Sequence, residues 1–519
     1  MFSFVSNSDL TRTGHSPLSA YSAVHNSVAR VAAQRYPAAA MEPIHELMKP
    51  RLEKRQKLIE QGVDPYGGHF EASETVAEAR NGSQAEREVR LAGRITSHRD
   101  MGKSMFCDLK DSTGRIQIYV QKKVLSDEQF ELFKRFVDLG DILGVAGKLF
   151  TTHAGELTVR VESFTILSKA IRPLPKEWYG IKDTETRIRQ RYLDLVLNDK
   201  VRETFLLRSR VIGQIRRYLD DRAFVEVETP MMQPLAGGAA AKPFVTHHEA
   251  LNLDLFLRVA PELYLKRLLV GGYERVYEIN RNFRNEGISR RHNPEFTMLE
   301  VYQAYGDYET MMDLLQGMVV SVAEHVLDTL VVRRFDGLEI DLRPPWKRIT
   351  YRDIVEERHG KDWFTVSPEE RKARAVKMGV EFPPNSPDYE VTNAVFEKTI
   401  EPTLMNPTFV THLPAELVVL AKPNKQDGSI VDVFECVING QEIAPAYSEL
   451  NDPVIQRDRL LHQAAGHAEK LDEDFLIALE HGMPPAGGMG VGIDRLVMML
   501  TGAESIRDVI LFPLLRPQT

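Results

Sequence analysis

The chain has 519 residues, enough for two or three domains at roughly 100–200 residues each. Apolar residues make up 43% and charged residues 27%, a globular composition that excludes a disordered or fibrous chain. The 66 Lys and Arg against 74 Asp and Glu leave a net charge of −8, which excludes a globally basic nucleic-acid coat but not a local basic patch. Two cysteines, Cys107 and Cys436, are too few for a disulfide scaffold or a four-cysteine zinc site and fit a reducing, cytoplasmic setting. No run of about 18 uncharged apolar residues occurs, so no transmembrane helix is expected.

Residues 1–40 are rich in Ser and Ala, with Arg12, Arg30 and Arg35 against the single acid Asp9. They read as a disordered, dispensable extension, with Met41 the effective start; a transit-peptide composition is the alternative. A charged helical segment follows over 41–86, its helix Pro43–Gln61 stopped by Gly62 and Pro65. Alternating strands then appear at Val89–Ile95, Phe106–Leu109, Ile116–Val120, Ile142–Phe150 and Leu157–Leu167, with a helix at Asp127–Phe136. Five strands with a helix before the fourth predict a small OB-type barrel over 87–171. Residues 172–199 read as a linker. Phe205, Ile212, Ile215 and Leu219 give the helix 200–222 one apolar face, and a strand Phe224–Glu228 ends at Pro230. Strands and helices mix thereafter, which predicts an α+β domain over 200–519 with a helical insertion at about 350–400.

Three segments carry candidate chemistry. Arg275–Tyr302 reads as strand, polar loop, strand, and its loop holds Arg284, Asn285, Glu286, Gly287, Arg290, Arg291 and His292. Such a loop offers forked cations to a polyanion, although charge alone equally describes a solvated hairpin. Gly487–Arg495 sets glycines before an apolar helix. They could approach phosphate closely, but the stretch is neither a Walker loop nor a dinucleotide fingerprint. In Phe434–Ile443, Glu435 and Glu442 flank an Asn439-Gly440 turn. A hairpin there would let two carboxylates share a hard cation such as Mg²⁺; two surface glutamates are the plainer explanation.

In this order the three segments resemble the motifs of class II aminoacyl-tRNA synthetases, and the chain closely resembles the bacterial type of lysyl-tRNA synthetase. The resemblance runs from about Pro43 to the C-terminus and includes APELYLKRLLVGGYERVYEINRNFRNEGISRRHNPEFTMLE, SELNDP and IRDVILFP. It implies an N-terminal OB-fold anticodon-binding barrel and a catalytic domain built on an antiparallel sheet. It also implies a homodimer joined through the 200–230 helix–strand unit, with ATP, L-lysine and tRNA(Lys) as partners. Carried over residue by residue, Arg284 holds the α-phosphate and Arg495 the γ-phosphate. Arg291 and His292 flank the outer phosphates, Phe296 stacks on adenine and Glu286 hydrogen-bonds it. Glu435 and Glu442 bind Mg²⁺.

Glu262 takes the lysine α-ammonium. Glu449 and Tyr302 receive the ε-ammonium, with Glu300 nearby and Gly237 and Gly238 in the pocket loop. The aspartyl and asparaginyl relatives usually carry Gln at the place of Glu262, which favours lysine here. In the barrel, Phe106 stacks on the central anticodon base, and Gln117 and Glu156 hydrogen-bond bases; spacing alone would put Phe106 in the barrel core. Residues 87–123 hold nine Lys and Arg against four Asp and Glu, an electrostatic footprint for RNA. Two positions depart from the family: Pro445 stands where Asn is common, and Val433 where Arg is expected.

Overall fold

The computed structural model describes residues 42–82, 86–175, 183–239, 241–463 and 471–517. The N-terminal extension therefore lies outside the described residues. The chain forms two compact units, one up to residue 175 and the other from residue 183.

The first unit opens with helix α1 (Glu42–Glu60). Strands β1 (Glu88–Asp100), β2 (Ser104–Lys110), β3 (Arg115–Gln121), β4 (Ile142–Thr151) and β5 (Leu157–Ser168) follow, close to the predicted bounds. They close in the order β1-β2-β3-β5-β4, the OB arrangement expected. The two-residue period decides what is inside: Met105, Cys107 and Leu109 of β2, and Ile116, Ile118 and Val120 of β3, all enter one core. Helix α2 (Asp127–Phe136), capped by the Ser126 side chain, adds Phe130 and Phe133 to it. Closure needs tight contact between β4 and β5, where a Cβ on Gly147 would lie 2.0 Å from the Arg160 carbonyl oxygen.

The second unit is built on an eight-stranded sheet. Its strands are β6 (Val225–Glu226), β7 (Arg275–Phe283), β8 (Glu295–Ala304), β9 (Lys347–Thr350), β10 (Thr408–Thr411), β11 (Val433–Ile438), β12 (Gln441–Ser448) and β13 (Ala486–Gly492). Their order is β9-β10-β11-β12-β13-β8-β7-β6, antiparallel except at the two edge pairs. Helices α3 (Asp199–Asp220), α4 (Glu262–Val270), α5 (Tyr308–Val322) and α6 (Ile493–Thr501) flank it. Tyr277, Leu299, Val301, Phe434, Cys436, Met489 and Val491 alternate out of one sheet face into a core shared with α3, α5 and α6. The opposite face is mixed: Val276, Tyr302 and Ala304 pack with α4, and polar side chains fill much of the rest. The helical insertion is present between β9 and β10, as Tyr351–His359, Pro368–Lys377 and Asp388–Val395, with Trp363 and Phe396 in a core shared with Val410 of β10 and Val433 and Val437 of β11.

Two expectations need correction. The linker read over 172–199 contains the helices Thr184–Arg189 and Arg191–Leu197, and residues 176–182 of it lie outside the described residues. These helices are anchored by packing rather than by periodicity: buried Arg191 pairs with Asp194 at 2.9 Å and donates to the carbonyls of Arg507 and Leu511. The strand expected over 224–228 pairs only at Val225–Glu226, two residues of edge strand ahead of Pro230.

In the barrel unit, fully buried Lys169 donates to Asp141 Oδ2 at 2.7 Å and to the Phe136 carbonyl at 2.6 Å. Replacing it with Met would leave the buried Asp141 carboxylate uncompensated, a loss of roughly 3–5 kcal/mol. Lys169→Met is expected to lower hydrogen-exchange protection of the slowest barrel amides by that amount while leaving the slowest amides of the second unit unchanged.

A candidate active site on the open face of the sheet

The site begins with the β7–β8 hairpin. Its last paired residues are Phe283 and Glu295, and the Arg284 amide donates to the Pro294 carbonyl at 2.9 Å, closing the loop. On β8 the even-numbered residues Phe296, Glu300 and Tyr302 stand on the open face, while Leu299 and Val301 enter the core. Arg284, Glu286, Arg291, His292, Phe296, Glu442, Pro445 and Arg495 line one cleft of about 240 Å³. Six predicted nucleotide residues thus converge there. The Arg284 guanidinium sits 5.2 Å from the Phe296 ring centroid, and its buried Nε has no partner. Arg495 Nη1 donates to the Glu442 carbonyl at 2.9 Å. Arg495 Nη2 lies 3.0 Å from His292 Nε2. A guanidinium can only donate, so His292 Nε2 is the acceptor and the proton sits on Nδ1, 2.9 Å from Ser289 Oγ. Burial, then the cations Arg495, Arg284 and Arg291, hold the His292 pKa below its ordinary value, which keeps this tautomer neutral. Asp494 orders the frame: it takes the Thr297 amide at 2.7 Å and pairs with Arg208 of α3 at 2.6 Å.

Strands β11 and β12 form the expected hairpin, with Asn439 and Gly440 at φ of 60° and 65°, the conformation a two-residue hairpin turn demands. Glu442 pairs with Val437, but Glu435 pairs with Pro445, because the register shifts between Cys436 and Val437. That bulge on β12 sets Pro445 and Tyr447 on the same face as Glu435 and Glu442; an unbroken register would point both toward the helices. Glu435 is forced well above the carboxylate range by burial, then by Glu442, Glu401 and Glu397. Glu401 and Glu397 are pushed up as well, burial again leading. A partly buried all-oxygen donor set with mutual repulsion suits a hard divalent cation. Among the described residues, no group of three or more His, Cys, Asp or Glu has ready-made metal-ligand geometry.

The predicted lysine-pocket residues also converge. Tyr302, Gly488 of β13 and Tyr447 of β12 are paired neighbours in one row, and Glu300 pairs with Gly490. Gly488 and Gly490 belong to β13 and line the pocket floor, whereas Gly492 ends that strand, precedes α6 and lines the arginine-bearing cleft. A Cβ on Gly488 would lie 1.8 Å from Glu449 Oε1 and 2.6 Å from the Tyr302 ring. Glu262, at the start of α4, and Glu449, just after β12, are held by the buried ammonium of Lys266, at 2.7 and 2.6 Å. Tyr302 donates to Glu300 at 3.0 Å. Beneath, Glu278 pairs across the strands with Glu300 and is neutralised by buried Arg258 at 2.7 Å. Gly238, at φ +86°, packs beside Glu262, and Gly237 sits against Leu263. Burial, then Glu262, pushes the Glu300 carboxyl up to about 8. Glu449 is likewise pushed up to about 8 by burial, against the opposing pull of Lys266.

On the barrel, Phe106 is not a core residue. It is half-buried on the outer surface, 4.6 Å from the Tyr119 ring, which in turn lies 5.9 Å from Phe150. Gln117 lies on the same face of β3 as Tyr119; it donates to Glu156 at 3.2 Å and accepts from Thr158 at 3.0 Å. The three predicted base-reading residues thus share one strip with Tyr119 and Phe150.

Sequence reasoning missed Lys266, Tyr447, Glu397, Glu401 and Asp494. Only Lys266 had a local signal, four residues beyond Glu262 on a helix. The others depend on the bulge, the insertion and the α3 contact.

Comparison with known proteins agrees with this architecture. Residues 183–516 match the family described as tRNA synthetases class II (D, K and N), and residues 89–167 match the OB-fold nucleic acid binding domain. The chain belongs to the class II tRNA synthetases, and within them to the lysine–tRNA ligases. It is 52% identical to a lysine–tRNA ligase of Carboxydothermus hydrogenoformans over 92% of this chain and 99% of the relative. Lysine–tRNA ligases of Pelotomaculum thermopropionicum and Bacillus subtilis are 51% and 48% identical over 92% of this chain, and 96% and 98% of the relatives.

An ammonium ligand entering the pocket must displace the protons carried by Glu300 and Glu449. Both titrate near 8, so binding releases protons below that pH and tightens as the pH rises toward it. Calorimetric titration with a diamino acid is expected to show affinity rising by up to about tenfold per group between pH 6.5 and 8, with proton release at pH 7.

Proposed function

We propose that the protein activates L-lysine with ATP, forming lysyl-adenylate and pyrophosphate, and transfers the lysyl group to the 3′ end of tRNA(Lys). One observation carries this reading. A buried pocket walled by Glu262, Glu300 and Glu449 shares a sheet face with a cleft lined by Arg284, Arg291 and Arg495. The first suits a dication and excludes acidic side chains; the second suits a triphosphate.

The substrate carboxylate is ionised at neutral pH and needs no general base, so the first step rests on orientation and phosphate-charge stabilisation. Arg284 leaves the Phe296 ring to adenine and takes the α-phosphate on which charge builds. Arg495 and neutral His292 hold the outer phosphates, with Arg291 beside them, and Glu286 accepts from the adenine amine. Glu262 accepts from the α-ammonium, while Glu449, Tyr302 and Glu300 receive the ε-ammonium. Glu435 and Glu442 would hold Mg²⁺, with Glu401 close by; when bound, it would supply positive charge to the phosphate oxygens. Pro445 offers neither a side-chain polar group nor a backbone N–H, so its family's usual Asn contact is absent and the substrate is held by the remaining groups.

For the RNA, Phe106, Tyr119 and Phe150 form a stacking strip for unpaired anticodon bases, edged by Gln117 and Glu156. A homodimer through the 200–230 unit is supported by the open sheet edge at β6, where Val225 is 46% exposed. No helix among the described residues is long and apolar enough to cross a membrane. From the proposed role in translation, we place the reaction in the cytoplasm.

Amino-acid-dependent ATP–pyrophosphate exchange tests the reading, with lysine compared against ornithine, arginine and aspartate. Exchange is expected with lysine alone, and its absence with every amino acid in folded, Mg²⁺-supplied protein would overturn the assignment. Phe106→Ala is expected to leave exchange unchanged and to raise the KM for tRNA by about tenfold or more, the loss of one stacked base.

A further inference from the structure

Lys266 is not needed by the chemistry above, yet its side chain is fully buried in the amino-acid pocket. Its ammonium lies 2.7 Å from Glu262 Oε1 and 2.6 Å from Glu449 Oε2, bridging carboxylates from two elements far apart in sequence. Each carboxylate keeps its other oxygen available. Both Glu449 oxygens are buried without a hydrogen-bond partner: Oε2 meets the Lys266 ammonium as an ion pair, and Oε1 faces the glycine floor at Gly488. A buried ammonium between two carboxylates favours the charged form of both, and a buried carboxylate without one holds its proton more tightly.

With the ligand bound and the protons of Glu300 and Glu449 displaced, Glu262, Glu300 and Glu449 supply three negative charges, and Lys266 returns one, leaving two. A free diamino acid brings two ammonium groups. Resting on the reading of the site as a lysine pocket, we infer that Lys266 is a resident countercharge and positioning residue. It stays in the pocket when substrate binds, holds Glu262 and Glu449 in their receiving geometry, and sets the pocket's residual charge to match a diammonium ligand.

The groups facing this cluster come from every wall. Glu262 lies on the same helix, Glu449 follows β12, Tyr447 lies on β12, and Glu300 and Tyr302 lie on β8. Arg258 and Arg284 act on Glu300. The phenols of Tyr302 and Tyr447 are pushed far up, by burial first and the surrounding carboxylates next, so they remain neutral donors. The Lys266 ammonium is held charged by Glu262 and Glu449 against the cost of burial. It is thus the one resident cation bonded to the receiving carboxylates among the described residues.

Lys266→Gln separates charge from polarity, because it removes the cation and keeps a side chain able to donate a hydrogen bond. In lysine-dependent ATP–pyrophosphate exchange, this variant is expected to raise the KM for lysine about tenfold or more at pH 7 with kcat nearly retained. The pH midpoint of kcat/KM should move about one unit to the alkaline side, since the pocket carboxylates lose their cation. Raising the pH should then recover much of the loss. The same alkaline displacement should separate Glu262→Gln from the Glu262→Gln/Lys266→Gln double variant, whose residual pocket charge equals the parent's; this pair serves if the single Lys266 variant does not fold. A Lys266→Gln protein with the parent's KM and pH midpoint would overturn the countercharge. So would one with a lower kcat or melting temperature and an unmoved midpoint, which a merely structural tether predicts. Parent protein that exchanges with no amino acid would instead overturn the pocket assignment itself, and the countercharge with it.

Discussion

The catalytic unit depends on the two-residue period of an antiparallel sheet. Every strand that crosses the site sends one set of side chains into the helical core and the other onto the open face. On β8 this separates Leu299 and Val301 from Phe296, Glu300 and Tyr302; on β13 it separates Met489 and Val491 from Gly488, Gly490 and Gly492. Burying the apolar set fixes the register, and the fixed register fixes the polar set. A slip of one residue would exchange the two faces and destroy core and site together.

Within this sheet, among the described residues, the bulge in β12 is where the register shifts, and the candidate site gathers around it. The extra residue lets Glu442 stay on the face of Glu435 while Pro445 and Tyr447 join that same face. One strand thereby serves the cation cluster, the nucleotide cleft and the amino-acid pocket in turn. The glycines opposite make the arrangement possible, since any side chain at Gly488 would occupy the space held by Glu449 and Tyr302.

Electrostatics divides the open face into unlike compartments. The hairpin loop and the start of α6 bring Arg284, Arg291 and Arg495 to the cleft, where they also keep His292 neutral. The pocket and the β11–β12 hairpin gather carboxylates whose protonation is pushed upward by burial. Such carboxylates are costly without cations. Arg258 under Glu278 and Lys266 between Glu262 and Glu449 are the resident cations that make the empty pocket tolerable. The barrel unit follows the same economy in miniature, with Lys169 beneath Asp141.

Strand and helix positions were legible from the amino-acid sequence, because amphipathic alternation and turn residues are local properties. The barrel strands and Asp127–Phe136 stand where periodicity put them, and the family strings identified the chemistry of the hairpin loop and the glutamate pairs. Local pattern misread what packing settles. The helices within 184–197 are held by Arg191 reaching residues more than 300 positions away, Phe106 faces outward because its strand neighbours fill the barrel, and the glycines before α6 belong to a strand. The sequence by itself determined the elements, the class and most of the residues that converge in the cleft and the pocket, since these follow from local pattern and from the family strings. Only the tertiary structure decided that Lys266 sits between Glu262 and Glu449, and that Tyr447 shares their pocket. Tyr447 depends on the register shift and Lys266 on a contact with Glu449 from a distant element; the i,i+4 spacing of Glu262 and Lys266 encodes only half of that bridge.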